Sequence, residues 1–410
     1  MTSTSDISAT GHASNSLALY VHIPFCETKC PYCDFNTYSK IEPLIPSYVS
    51  AILVEIENWG RVLERPYVHS VFFGGGTPSY LPAEDINLLM TAIRVNFNCN
   101  VLREATLEAN PGDLTDEKLL AYREAGLNRL SIGVQSLDDG LLALIGRRHS
   151  AEQAVRAYQA ALDSGFDNVS IDLMYGLPYQ SLEQWERTLK TSVTLRPPHI
   201  SMYCLTLEPG TPMQKQVETG RLPEPNPDLA ADMYKLAEQT MKSEGYRHYE
   251  ISNWAHPGNE SIHNLTYWRN LAYLGVGPGA HSYLEGHRFW NLKSPAEYVR
   301  RLESTQSGYH SGSSLNAEHI KAMPVVKEVE IVDRRLEMAE TMMMGIRLDI
   351  GIAEREFAAR FGLSPHQVYP NALARLQSEG LIDSADGSVQ LTARGRLLGD
   401  EVFSRFLDPA

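Results

Sequence analysis

From residue 17 onward, two hydrophobic patterns alternate along the chain. LALYVHI, HSVFFGG, EATLEAN, LNRLSIGVQ, NVSIDLMYG and HISMYCLTLE read as strands. Between them, IPSYVSAILVEIENWGRVL, EDINLLMTAIRVNF, TDEKLLAYREAG, AEQAVRAYQAALDSG and SLEQWERTLKTSVTL carry helical spacing. The third of these opens with a Thr cap and an early Asp-Glu pair. A long helix, PDLAADMYKLAEQTMKSEG, follows the sixth strand. Alternation at this scale predicts βαβ units around a parallel sheet. Six strands fall short of the eight of a closed barrel. The expected fold is therefore α/β, a partial (β/α)6 TIM-like barrel over residues 17–250.

After residue 246 the pattern changes. YRHYEISNWAHPG, HNLTYW and YLGVGPGAHSYLEGHRFWN are rich in aromatics, His and Gly. Residues 251–320 read as an extension that ends in a linker-like stretch, 304–318. Residues 321–410 form a further unit. RRLEMAETMMMGIRL, IAEREFAARFG and PHQVYPNALARLQSEG are helical, LIDSADGSVQLT reads as a hairpin around Asp-Gly, and TARGRLLGDEVFSRF is a final helix. Helices followed by a small hairpin predict a C-terminal winged-helix-like module. Met342–Met344 read as adaptable core filler in its first helix. The polar residues 1–16 are expected to be disordered.

Composition narrows the function classes. The chain has 410 residues and is 43 % hydrophobic, enough for two or three structural units. Its formal net charge of −14 argues against nucleic-acid binding, which needs cations at phosphates. Residues 331–410 hold nine Lys+Arg against twelve Asp+Glu, so the module reads as structural or protein-contacting. No apolar run approaches the ~18–20 residues that span a bilayer, and the N-terminus lacks a signal-peptide core. A cytoplasmic location is expected.

Five cysteines are present, and Cys26, Cys30 and Cys33 fall within eight residues. In a reducing compartment such a group means metal or redox chemistry. Cys99 and Cys204 stand alone; Cys204, in ISMYCLTL, reads as a small core residue. Structural zinc takes four ligands, and His22 precedes the loop on a strand. A [4Fe–4S] cluster held by three thiolates keeps one iron open. GGGTP, EANPG, GVQS and DLMYGLP each follow a strand, which suggests one shared site at the C-terminal strand ends.

The C-x3-C-x2-C loop, with Tyr32 before its last Cys, resembles that of radical S-adenosylmethionine (SAM) proteins. This implies that Cys26, Cys30 and Cys33 bind a [4Fe–4S] cluster whose open iron chelates SAM. YVHIPFC, GGGTPSYL, EANPG, LSIGVQS and DLMYGLP together resemble the oxygen-independent coproporphyrinogen oxidase family, from residue 17 to the end. That resemblance implies SAM contacts at Tyr20, Tyr32, Gly75, Gly76, Thr77 and Glu108. It implies that Gln135, Arg147, Asp172 and Thr206 hold a second SAM. On the residues alone, Glu108 and Asp172 read equally as satisfied polar groups. Arg147, beside Arg148, reads equally as a solvated cation.

Within that family, the oxidases carry C-x3-C-x2-C-x-C and a longer N-terminal extension. Here Phe35 stands at the place of the fourth cysteine. The Cys26–Phe35 loop and His263-Asn264-Leu265-Thr266-Tyr267-Trp268 resemble the HemW-type haem chaperone branch. This implies haem bound near His263, Tyr267 and Trp268 and passed to haem-accepting proteins such as respiratory haem proteins. It allows a monomer or dimer, and transient membrane contact during delivery. His256 and His281 are weaker rivals for the haem. In the plainer reading His263 anchors a loop and Trp268 is core. The alternative function is enzymatic: an oxygen-independent coproporphyrinogen III dehydrogenase.

Overall fold

The computed structural model describes residues 16–304 and 315–407. The disorder expected for the N-terminus and most of the linker expected at 304–318 lie outside these residues.

Six parallel strands sit side by side in chain order: β1 (Ser16–Ile23), β2 (Tyr67–Gly75), β3 (Glu104–Ala109), β4 (Arg129–Gln135), β5 (Asn168–Tyr175) and β6 (His199–Cys204). Helices 45–62, 83–96, 116–124, 151–163 and 182–194 connect them. Strand side chains alternate between two faces, and here the faces differ in kind. Val71, Phe73, Leu107, Leu130, Ile132, Ile171, Leu173, Ile200 and Met202 join one core with apolar residues of the helices, such as Ile52, Leu89 and Tyr122. The alternate positions, Phe72, Glu108, Ser131, Gly133, Asp172 and Ser201, line an interior cavity. The register sets Glu108 opposite Ser131 and Asp172 opposite Ser201. A partial barrel with a polar interior results.

The sheet runs on past both edges, to twelve strands. Beyond β6 lie β8 (Asn253–Ala255), antiparallel to it, and then β7 (Arg247–Glu250), antiparallel to β8. Beside β1 lies β9 (Tyr273–Val276), parallel to it. Then come β10 (His281–Leu284), β11 (His287–Asn291) and β12 (Val326–Ile331), each antiparallel to its neighbour. β8 to β11, which fall in the stretch expected as an extension, are thus strands of the barrel sheet. The boundary expected at residue 321 also moves, because β12 pairs with β11. Glu55 ties the returning strands down. Its carboxylate accepts from Gly277 N and Asn291 Nδ2, both at 2.7 Å, and from Tyr298 Oη.

The C-terminal module begins with helix 334–345. The short β13 (Ile352–Ala353) pairs with β15 (Ser388–Leu391), which forms the expected hairpin with β14 (Ile382–Ala385). Asp386 and Gly387 have φ of 52° and 75°, as a two-residue hairpin turn requires. Two expected helices are each broken in two, at Tyr369-Pro370 and at Leu398. Pro370 supplies no N–H to continue the first. Met338 and Met342 belong to the module's core. The module docks on the barrel through Arg347, whose guanidinium carbon lies 4.7 Å from the ring centres of both Trp268 and Phe403. Asp349 N donates to Tyr249 O at 3.1 Å. Arg360 donates to the carbonyls of Arg269 and Asn270.

Phe403 is 6 % exposed. Phe403→Ala opens a void against the half-buried Arg347 and is expected to cost about 3–5 kcal/mol, read as a lower urea midpoint. A loss under about 1 kcal/mol would show that the module does not depend on this contact.

Candidate functional site

β1 delivers the chain to the cysteine loop, and backbone hydrogen bonds fix the loop's shape. Cys26 N donates to Tyr38 O at 2.9 Å, Tyr38 N to Pro24 O at 2.8 Å, and Cys33 N to Cys30 O at 3.1 Å. Lys29 Nζ donates to the carbonyls of Phe35 (2.9 Å) and Thr37 (3.2 Å). Cys26, Cys30 and Cys33 are free thiols and line one cavity of about 490 Å³. Burial pushes the Cys26 and Cys33 thiols up, so their thiolates need a cation. Among the described residues no three His, Cys, Asp or Glu side chains are placed to hold a single metal ion. His22 cannot complete such a set, since its Nδ1 bonds with Tyr20 Oη and its Nε2 with Asn36 O, both at 3.0 Å. Three clustered thiols, Cys26 buried and Cys30 and Cys33 half-buried, with no fourth donor among the described residues do not suit zinc. They do suit an iron–sulfur cluster, whose ligands attach to different metal atoms.

The glycine strip after β2 lies directly against this loop. Gly76 N donates to Ile23 O at 2.7 Å and Thr77 N to Phe25 O at 2.8 Å. A Cβ on Gly76 would lie 2.6 Å from Phe25 O and 3.1 Å from Cys26 Sγ, so only glycine fits. Gly75 has φ of 107°, and a Cβ there would strike the His22 ring. Thr77 Oγ1 donates to Cys26 Sγ at 3.3 Å. Tyr20 stands behind Gly74 and outside the cavity wall, so its contribution is support.

Opposite the cysteines stand two carboxylates. Glu108 accepts one hydrogen bond, from Gly75 N at 3.2 Å, and is pushed up to about 8 by burial and by the nearby Asp172. Asp172 is raised by burial, although Ser131 Oγ (2.7 Å) and Ser170 Oγ (2.9 Å) donate to it. The two adjacent arginines both line the cavity but differ in their partners. Arg147 turns inward and donates to Gly133 O (2.7 Å) and Asn110 Oδ1 (3.1 Å), with Nη1 3.8 Å from Cys30 Sγ. Arg148 pairs with Glu27 and Asp113. Gln135, with φ of 66°, ends β4 at a register shift and lines the cavity. Tyr32 and the exposed Thr206 also line it.

The expected haem residues lie elsewhere. Helix 262–268 packs against the opposite ends of the strands, where Glu104 accepts from Ile262 N (2.8 Å), His263 N (3.0 Å) and Ser261 Oγ (3.3 Å). His263 is 1 % exposed. Its Nδ1 bonds with Ser70 Oγ at 3.0 Å and its Nε2 with Tyr267 Oη at 2.9 Å. Burial lowers its pKa to about 3, so the ring is neutral. Neither nitrogen is open to a metal in this conformation, which corrects the expectation of an accessible ligand. Tyr267 is occupied by the same contact, and Trp268 faces Arg347. His256 stacks on Tyr246 and His281 on Trp290, both outside the cavity.

The motif residue that does reach the cavity is Asn264. Cys204 is also corrected, from core to an exposed position on the cavity wall. Phe72, Asn110, Arg129 and Tyr203 line the cavity too and were missed. The alternation along β2, β4 and β6 was the signal that could have found three of them.

Comparison with known proteins agrees with this geometry. Residues 20–191 match the radical SAM superfamily and residues 332–398 match the HemN C-terminal domain. The heme chaperone HemW of Bacillus subtilis (strain 168) is 38 % identical over 389 residues, 95 % of this chain and 98 % of that protein. The mouse mitochondrial radical S-adenosyl methionine domain-containing protein 1 is 37 % identical, over 84 % of this chain and 76 % of its own length. The solved coproporphyrinogen III oxidase (HemN) of Escherichia coli, a radical SAM enzyme, superposes with a TM-score of 0.81. It is 24 % identical over 96 % of this chain and 90 % of that one, a likeness of fold.

Glu108 offers a pH test. Its pKa is raised from 4.5 to about 8, so the folded state binds the proton more tightly than the unfolded state. Its contribution is fully present below about 4.5 and is lost as pH rises through about 8. In cluster-free protein, Glu108→Gln is expected to flatten the decline in stability across that window. Parallel unfolding profiles for variant and wild type would show that Glu108 carries no such proton.

Proposed function

The chain belongs to the HemW family of haem chaperones, within the radical SAM superfamily, and we propose that it binds haem, a [4Fe–4S] cluster and SAM and passes the haem to acceptor proteins. The observation that carries this reading is convergence: three free thiols, the glycine strip and Glu108 open onto one cavity. Cys26, Cys30 and Cys33 hold the cluster. When bound, the cluster supplies an open iron for the methionine end of SAM and an electron for its sulfonium.

The chain's own residues prepare that site. Arg147 brings positive charge beside Cys30, and Thr77 donates to the Cys26 sulfur, which offsets part of the burial that raises that thiol. Gly75 and Gly76 bring backbone close to the ligand, with Tyr20 as support behind them. Glu108 has carboxylate capacity left beyond its one protein donor, suited to an ammonium or a ribose hydroxyl. Gln135, Asp172, Tyr32 and Thr206 offer further polar contacts on the same wall. Phe35, 64 % exposed on the cavity rim, offers no thiolate there.

We place the protein in the cytoplasm, as a monomer or dimer, delivering to acceptors such as respiratory haem proteins. No helix among the described residues is long and apolar enough to cross a membrane; any contact with a bilayer during delivery is proposed as transient. The net charge of −14 speaks against a nucleic-acid partner.

Two experiments test the reading. Reconstituted wild type is expected to hold about four irons per chain, and Cys30→Ala to lose them with the visible absorbance. Full iron content in that variant would remove the loop from the cluster site. Haem-loaded protein is expected to transfer haem to an apo-haem protein. The same protein, given coproporphyrinogen, SAM and a reductant without oxygen, is expected to form no decarboxylated product. Turnover there would favour the dehydrogenase instead.

A further inference from the structure

The cavity floor, at the strand ends opposite the cysteine loop, holds a cation that no carboxylate among the described residues pairs with. Arg129 opens β4, is 2 % exposed, and lines the cavity. Among the described residues its hydrogen bonds, both from Nη1, go to neutral acceptors: Asn168 Oδ1 (2.6 Å) and Asn259 O (3.2 Å). Asp172 feels its charge from a distance but is already held by Ser131 and Ser170. A buried guanidinium without a counter-charge is costly, and its planar fork of N–H groups matches a carboxylate.

The segment that Arg129 grips at Asn259 leads into helix 262–268, which brings Asn264 to the same cavity. Asn264 N donates to Ser261 Oγ at 3.3 Å, while its side-chain amide makes no hydrogen bond to any described residue. His263 and Ser261, by contrast, are fully engaged in fixing the helix. Two open donors, one charged and one neutral, thus line the cavity.

We propose that Arg129 and the Asn264 amide form a subsite for a ligand carboxylate on the cavity floor. This rests on the haem-and-SAM reading above. Two carboxylates suit it: a propionate of haem, or the amino-acid end of a second SAM. Arg129 and Asn264 act here as recognition residues, apart from the cluster.

The test uses the full-length, cluster-loaded protein. Iron protoporphyrin IX and its dimethyl ester are titrated by Soret absorbance, and SAM stoichiometry is measured by equilibrium dialysis. Variants are Arg129→Gln and Asn264→Ala, each checked for iron content and thermal midpoint. If haem supplies the carboxylate, wild type prefers the free acid by about tenfold or more, and both variants reduce that preference to about twofold or less. If SAM supplies it, wild type binds a second equivalent that both variants lose while keeping the first.

Should Arg129→Gln fail to fold, Asn264→Ala decides, since that amide has no hydrogen-bond partner among the described residues to lose. Unchanged acid-to-ester ratio and SAM stoichiometry in folded variants overturns the subsite and leaves Arg129 a structural tie. Absence of saturable haem binding in wild type, with either form, instead sinks the haem reading, and the SAM arm still decides the subsite.

Discussion

Two backbone hydrogen bonds beyond the ends of β1 and β2 hold the site together: Gly76 N to Ile23 O and Thr77 N to Phe25 O. They extend the parallel pairing of the two strands past the point where the chains would otherwise diverge. The cysteine loop is thereby laid on the glycine strip with no side chain between them. The contact tolerates no Cβ at Gly76, because the nearest atoms are carbonyl oxygens that already accept these bonds. Whatever binds between the thiols and Glu108 therefore meets a wall of backbone whose position is set by the sheet. Loop flexibility has little part in it.

The barrel interior stays open because its inward positions are polar. Two buried carboxylates show how the same residue type serves different ends. Glu55 is raised to about 7 by burial, yet three donors from the returning strand segments and the helix that follows saturate it. It closes the fold. Glu108 is raised to about 8 and has one donor, the Gly75 N–H. Its remaining lone pairs face the cavity. A carboxyl left this incomplete is poorly placed for stability, which fits a group kept for a ligand.

The six parallel strands and the C-terminal module were legible because their patterns are long and strong. The edge strands were not. β7 to β11 are three to five residues each, too short for a period to declare itself, and β12 falls inside what composition marked as another unit. The cysteine spacing pointed to the cluster site directly, since thiols in one tight loop leave few alternatives. Arg147 and Arg148 could not be separated in sequence, because adjacent residues differ only in which way the backbone turns them. Cys204 was misread for a related reason. It ends β6, and hydrophobic neighbours do not say that a strand's last residue clears the packed core.

HNLTYW shows the limit most sharply. Its residue types announce a ligand site, and six letters cannot say which of them reaches it. The fold spends His263 on Ser70 and Tyr267, and Trp268 on the C-terminal module. Metal ligation by His263 would require breaking its hydrogen bond to Ser70 or to Tyr267. Recognition through Asn264 requires neither, because its amide already lies open on the cavity. The helix also runs from the cavity, at Asn264, to Arg347, which packs over Trp268. One residue of the motif thus faces the cavity while His263, Tyr267 and Trp268 are held in packing contacts.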